Sequence, residues 1–199
     1  VHIRTYKELP LLCFSEQGLW HDWLMENHAL ISQVWLQFAK KGSGKKTITY
    51  EEARESALCF GWIDSTINRL DDDYYVMRFT IRQPKSVWSK INCEIVEALI
   101  ASGKMQPAGL KHVVDAQADG RWDRAYDGAS KMSVPEDFLA ALEHNSAAAM
   151  NFDALDSSNR YAFLWRIQTS SPDTRAKKIL RYVDMLENGV VFHPKDGSA

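Results

Sequence analysis

The sequence predicts an α+β protein, in which a small antiparallel sheet of about three strands packs with helices and is followed by a helical lobe. Three observations carry this. Val34, Leu36 and Phe38 alternate with Trp35 and Gln37, and Tyr75, Met77, Phe79 and Ile81 alternate with Tyr74, Val76, Arg78, Thr80 and Arg82, the period of two that strands show. The acidic turn Asp71 to Asp73 joins Trp62–Arg69 to Tyr74–Arg82 as an antiparallel hairpin. From Ser86 onward the apolar period becomes helical.

Taken in order, the chain opens on an extended segment, and Ser15 is placed to cap a helix whose Leu19, Trp23 and Leu24 form an apolar stripe. The first strand and the polar turn KKGSGKK follow. Thr49 with Glu52 makes a capping box for a helix through Cys59, and Gly61 is placed to stop it. After the hairpin, Trp88, Ile91, Ile95 and Leu99 fall at helical spacing up to Gly103. Ala108–Ala118 is a second helix, stopped at Gly120. Ser133 and Glu136 form a capping box around Pro135 for a helix through Leu142, and Tyr161, Leu164, Trp165 and Gln168 mark another. Ser171 and Pro172 start a last helix, Thr174–Asn188, with Gly189 as its stop. The division expected is an α+β lobe over 1–105, a helical lobe over 106–190 and a frayed tail over 191–199, forming one compact unit.

Composition removes several classes of function. With 199 residues, 45% hydrophobic and 25% charged, the chain has the balance of a water-soluble globular protein, and a net charge of -2 gives no global pull toward nucleic acid or membrane. Cys13, Cys59 and Cys93 are an odd set without CxxC spacing, which argues against a disulfide framework or a thiolate zinc site. Reduced thiols, no span-length apolar run and no apolar leader core place the expectation in the cytoplasm.

The residues that bear chemistry give a ranked set of readings. GSGKKT lacks the glycine a phosphate loop needs, because position 39 is Ala39, and its lysines read as a solvated loop. Cys59, in an Ala-Leu-Cys-Phe context, reads as packing rather than a nucleophile. The six histidines lack ligand spacing, so neither a metal nor another cofactor is expected. If the strands turn their aliphatic sides to one core, Trp35, Gln37, Trp62, Asp64, Thr66, Arg78, Thr80 and Arg82 share the other face. That face supplies stacking rings, guanidinium forks and a carboxylate, suited to a small anionic or aromatic ligand. The competing reading covers the face with helices and pairs Asp64 with an arginine as a buried ion pair. The last helix, with Arg175, Lys177, Lys178 and Arg181, reads as the wet side of an amphipathic helix burying Ile179, Leu180 and Val183 rather than as a nucleic-acid surface.

Motifs along nearly the whole chain resemble the bacterial YdeI/OmpD-associated family, also labelled bacteriocin-protection proteins. They are WLQFAKK (Trp35–Lys41), TYEEA, ALCFGWIDS (Ala57–Ser65), RFTIR (Arg78–Arg82), SVWSKIN (Ser86–Asn92), GKMQPAG (Gly103–Gly109), DGRWDRAYD (Asp119–Asp127) and TRAKKI (Thr174–Ile179). Ile81 stands where the family pattern has proline. The resemblance implies association with a porin and tolerance of bacteriocins or cationic antimicrobial peptides, and it assigns no catalytic residue. The leading expectation is therefore a non-enzymatic factor binding a small ligand or a protein partner, with Trp35, Trp62, Asp64, Arg78, Thr80, Arg82 and Trp88 as the ligand-binding set. The alternatives are an enzyme with a pocket around Asp64, Arg78, Arg82 and Cys59, and weak nucleic-acid contact through the last helix.

Overall fold

Thr49 and Glu52 close the capping box anticipated from their spacing: the Thr49 hydroxyl accepts from the Glu52 N–H at 3.2 Å, and the Glu52 carboxylate accepts from the Thr49 N–H at 2.8 Å. The helix they start, α2, runs Tyr50–Cys59 in a computed structural model that describes residues 4–194. Before it come β1 (Thr5–Tyr6), β2 (Leu9–Leu12), α1 (Gln17–Asn27) and β3 (Gln33–Ala39). After it come β4 (Trp62–Arg69), β5 (Tyr74–Ile81), α3 (Lys90–Ala101) and α4 (Pro107–Ala118), then α5 (Glu136–Glu143), α6 (Ser146–Asp153), α7 (Ser157–Gln168) and α8 (Pro172–Glu187).

The described residues thus hold eight helices and one sheet of five strands, ordered β1-β2-β3-β5-β4, rather than about three. The expected hairpin is present, with β4 and β5 antiparallel and β5 antiparallel to β3. The two added strands come from the opening extended segment. β1 and β2 pair antiparallel, and β2 lies parallel to β3, matching Leu11 with Trp35 and Leu12 with Leu36. The sheet is therefore mixed, and β3 at its centre is buried along Val34–Phe38 on both faces.

The chain forms two compact units, one of the residues up to Ser86 with Asn92–Trp122, the other of Val87–Ile91 with Asp123 onward. In the first, α4 goes with the sheet. One sheet face packs Val34, Leu36, Phe38, Trp62 and Phe79 under α1 and α2. Trp20 of α1 meets Phe79 edge-on at 5.9 Å, and its indole N–H donates to the Ala53 carbonyl at 3.0 Å. The buried stripe of α1 is thus Trp20 and Leu24; Leu19 is exposed, and the cap is Glu16 rather than Ser15. In α3, Asn92, Cys93, Val96 and Leu99 are buried while Ile91 is exposed, and Trp88 precedes the helix.

The second unit is helical, as expected of the C-terminal lobe. Phe138, Leu142, Phe152, Phe163, Leu164, Ile167, Ile179, Tyr182 and Leu186 form its core. Pro135, not Ser133, caps α5. α8 buries Ile179, Tyr182 and Leu186, while Leu180 is 70% exposed, so its apolar stripe is rotated from the one the sequence suggested. The segment read as frayed is tied down at its start: Phe192 packs on Phe163 at 4.7 Å, and the His193 N–H donates to Asn159 Oδ1 at 2.9 Å. The rest of that tail, 195–199, lies outside the described residues.

Candidate functional site

Strand register decides which of the expected ligand-binding residues can act together. Directly opposed residues in a ladder point to the same face. Trp35 opposes Arg78 and Gln37 opposes Val76, so these four share a face. Trp62 opposes Ile81 and Asp64 opposes Phe79, which puts Trp62 and Asp64 on the other face, toward the helices. The composite face is therefore not assembled. A bulge between Asp64 and Ile67 also shifts the register, so Ile63 opposes Thr80 while Ile67 opposes Met77 and the two isoleucines fall on different faces.

Each expected residue then has its own surroundings. Trp35 is 3% exposed under Leu11 and Val76, with Tyr6 edge-on at 5.1 Å, so its ring offers no open stacking surface. Trp62 is fully buried, and its indole N–H donates to the His28 carbonyl at 3.3 Å. Asp64 accepts from the Tyr50 hydroxyl at 3.2 Å, not from an arginine. Arg78 donates to the Ser65 hydroxyl at 3.0 Å, and Thr80 lies half-buried between Gln33 and Ile63. Arg82 falls just past β5, 2% exposed, its N–H bonded to the Gly61 carbonyl. Its charge reaches His112, whose pKa is lowered first by burial and then by Arg82. Trp88 is buried in the second unit. Cys59 is buried too, and burial, with the Glu55 charge next, pushes its thiol up to about 11, the environment of a packed thiol rather than a nucleophile.

The open part of the sheet is elsewhere. At the sheet end where β3 leaves and β5 begins, the loop Lys40–Thr47 and the start of α2 wall a cleft of about 770 Å³ lined by Ile67, Tyr75 and Met77, with Phe38 buried beneath them. Phe38 and Tyr75 stack at 5.2 Å, and Ile67 is 59% exposed beside them. Lys40, Lys41, Lys45 and Lys46 all line this cleft, against Glu51 as the carboxylate. The loop is held by ordinary bonds: the Lys40 N–H donates to the Asp73 carbonyl at 2.8 Å and the Ala39 N–H to the Thr47 hydroxyl at 2.8 Å. The Lys40 ammonium is engaged with the Asp71 carbonyl at 2.6 Å. Among the described residues Lys41, Lys45 and Lys46 take part in no ion pair. An apolar, ring-bearing floor under three uncommitted ammonium groups can hold an anion that carries a flat or aliphatic body.

Sequence reasoning treated these lysines as a solvated loop. The available signal was that the loop follows β3 directly while Tyr75 opens β5, so the antiparallel pairing brings the lysines beside Tyr75. Among the described residues no cluster of metal-ligating side chains occurs, and no helix is long and apolar enough to cross a membrane.

A mixed sheet under helices, bearing an open cationic cleft and joined in sequence to a helical unit, defines a two-unit α+β protein with a ligand-sized cleft in its sheet unit. The chain belongs to the family described as Domain of unknown function (DUF8412), whose model matches residues 12–112 and so contains the whole cleft. Residues 131–189 match the model described as Bacteriocin-protection, YdeI or OmpD-Associated, the family whose motifs the sequence carries. No curated protein and no solved structure matches the chain.

Proposed function

We propose that this is a cytoplasmic, non-catalytic binding protein that holds a small anionic ligand with a flat or aliphatic body in the Lys40–Thr47 cleft, and through that ligand contributes to tolerance of bacteriocins or cationic antimicrobial peptides. The observation that carries the binding reading is that Lys41, Lys45 and Lys46 line one cleft together with Tyr75 and the exposed Ile67. The tolerance role rests on the match of residues 131–189 to the bacteriocin-protection model. Charge gives the direction of the effect. A lysine-rimmed cleft repels a cationic peptide, so the protein acts on an anionic molecule and does not capture the peptide itself. The free thiols Cys13, Cys59 and Cys93 support a reducing compartment.

Calorimetric titration with phenyl phosphate and with cyclohexylammonium tests this. The account expects the aryl anion to bind and the cation not to. In Lys45→Glu/Lys46→Glu, affinity for the anion falls about tenfold or more. A deletion strain complemented with this variant stays peptide-sensitive, whereas wild type restores tolerance. Equal binding of anion and cation, or anion binding unchanged in the variant, contradicts the cleft as the site.

A further inference from the structure

A second, smaller cavity of about 140 Å³ lies in the sheet unit, lined by Gln17 and His21 of α1, Glu55 and Ser56 of α2, and Lys104 and Gln106 from the turn before α4, with Cys59 beside them. This is several times the space one water needs. Its lining is unusual for a gap between helices. Ser56 is 2% exposed, and its hydroxyl has no hydrogen-bond partner within the protein. A buried hydroxyl left without a partner is costly, so its position at this wall calls for a polar occupant. Glu55 and Lys104 bring opposite charges to the same cavity without meeting, since among the described residues neither takes part in an ion pair. Both charges act on the Cys59 thiol at the same wall, Glu55 raising its pKa and Lys104 lowering it. Gln17, also at the cavity wall, donates to the Glu52 carbonyl at 3.2 Å and to Glu55 Oε2 at 3.4 Å, which orients the carboxylate.

We infer that this cavity is a binding site for a small zwitterion of the amino-acid class, its ammonium on Glu55, its carboxylate on Lys104, and the Ser56 hydroxyl and the Gln106 amide completing the polar contacts. A carboxylate and an ammonium that line one cavity without pairing match the two ends of one zwitterion, whereas a simple anion or cation leaves one charge of the site opposed. Cavity size restricts the ligand to a small side chain. The site is separate from the lysine cleft, with which it shares no lining residue.

The test is calorimetric titration of the full chain with glycine, L-alanine and L-tryptophan, against acetate and methylammonium as the two half-ligands. Glycine and alanine are expected to bind, tryptophan not to, and each half-ligand to bind about tenfold weaker or less. Glu55→Gln and Lys104→Gln each lose about tenfold in glycine affinity, and Ser56→Ala a few-fold, with thermal melts showing each variant folded. Phenyl phosphate binding at the lysine cleft stays unchanged in all three, which separates this site's failure from that of the cleft. No heat with either small amino acid, binding unaltered in both charge variants, or a crystal structure grown in glycine with only water in the cavity overturns the assignment.

Discussion

The Tyr50 hydroxyl donates to Asp64 Oδ2 across 3.2 Å, tying the first turn of α2 to β4 at the wall of the lysine cleft. Arg54 stands over the same tyrosine ring at 5.0 Å. Burial first, and the Asp64 charge next, push the Tyr50 phenol up to about 12, above its ordinary value of about 10. A phenol with a raised folded pKa contributes stability that is fully present below about pH 10 and is lost as pH rises toward 12, because the unfolded chain releases the proton first. Burial also raises Tyr75, Tyr161 and Tyr182, so difference absorbance through an alkaline titration is expected to show a late tyrosine step that is smaller by one group in Tyr50→Phe. Loss of the hydroxyl is expected to cost about 1 kcal/mol, read by chemical denaturation. An unchanged late step in the variant contradicts the assignment.

Two glycines fix how closely α2 approaches α4. Gly61 has φ +72, and a Cβ there would overlap the His112 ring; a Cβ on Gly109 would overlap the Cys59 and Leu58 carbonyl oxygens. Backbone cannot yield as a flexible side-chain tip does. Gly109→Ala is therefore expected to lose about 2 to 3 kcal/mol in denaturant titrations, and Gly61→Ala a comparable amount from strain plus overlap. A control at Gly18, where a Cβ meets nothing, is expected to be neutral or slightly stabilising.

Local elements were legible in the sequence and strand faces were not. The Thr49–Glu52 box, the Gly61 stop and β4 from Trp62 to Arg69 follow from chemistry within a few residues, and they stand as read. Face assignment failed at one bulge: between Asp64 and Ile67 one strand carries an extra residue, which inverts parity, and no residue type announces it. β3 misled differently. Both of its faces are buried, so its alternation did not separate core from solvent. The parallel pairing of Leu11 with Trp35 is a long-range fact, and it covers the ring that looked available for stacking.

Trp35 and Arg78 oppose each other on one face, and their substitutions separate packing from ligand contact. Trp35→Ala is expected to cost about 3 to 5 kcal/mol, the range for a buried aromatic. Arg78→Gln, which gives up only a bond to Ser65, is expected to stay within about 0.5 kcal/mol. Phenyl phosphate affinity should be unchanged in Arg78→Gln. A marked loss there would return this face to the binding site.

Thiol chemistry distinguishes the three cysteines. Cys59 and Cys93 are both pushed up to about 11, chiefly by burial, and Cys13 is exposed. At a pH of about 7, a disulfide reagent is expected to label Cys13 in the native protein and to reach Cys59 and Cys93 only after unfolding. Their burial as neutral thiols contributes stability that is fully present below about pH 8.5 and is lost as pH rises through 11. Fast native labelling of Cys59 would favour the enzyme reading.

The central claim is that the Lys40–Thr47 cleft is the ligand site. The most direct measurement is a two-dimensional amide NMR titration of the full chain with phenyl phosphate. The account predicts saturable shifts confined to Phe38, the loop from Lys40 to Thr47, Tyr50, Ile67 and Tyr75, and their loss in Lys45→Glu/Lys46→Glu. Shifts centred on Trp35 and Arg78 across the sheet, or no saturable shift at all, would contradict it.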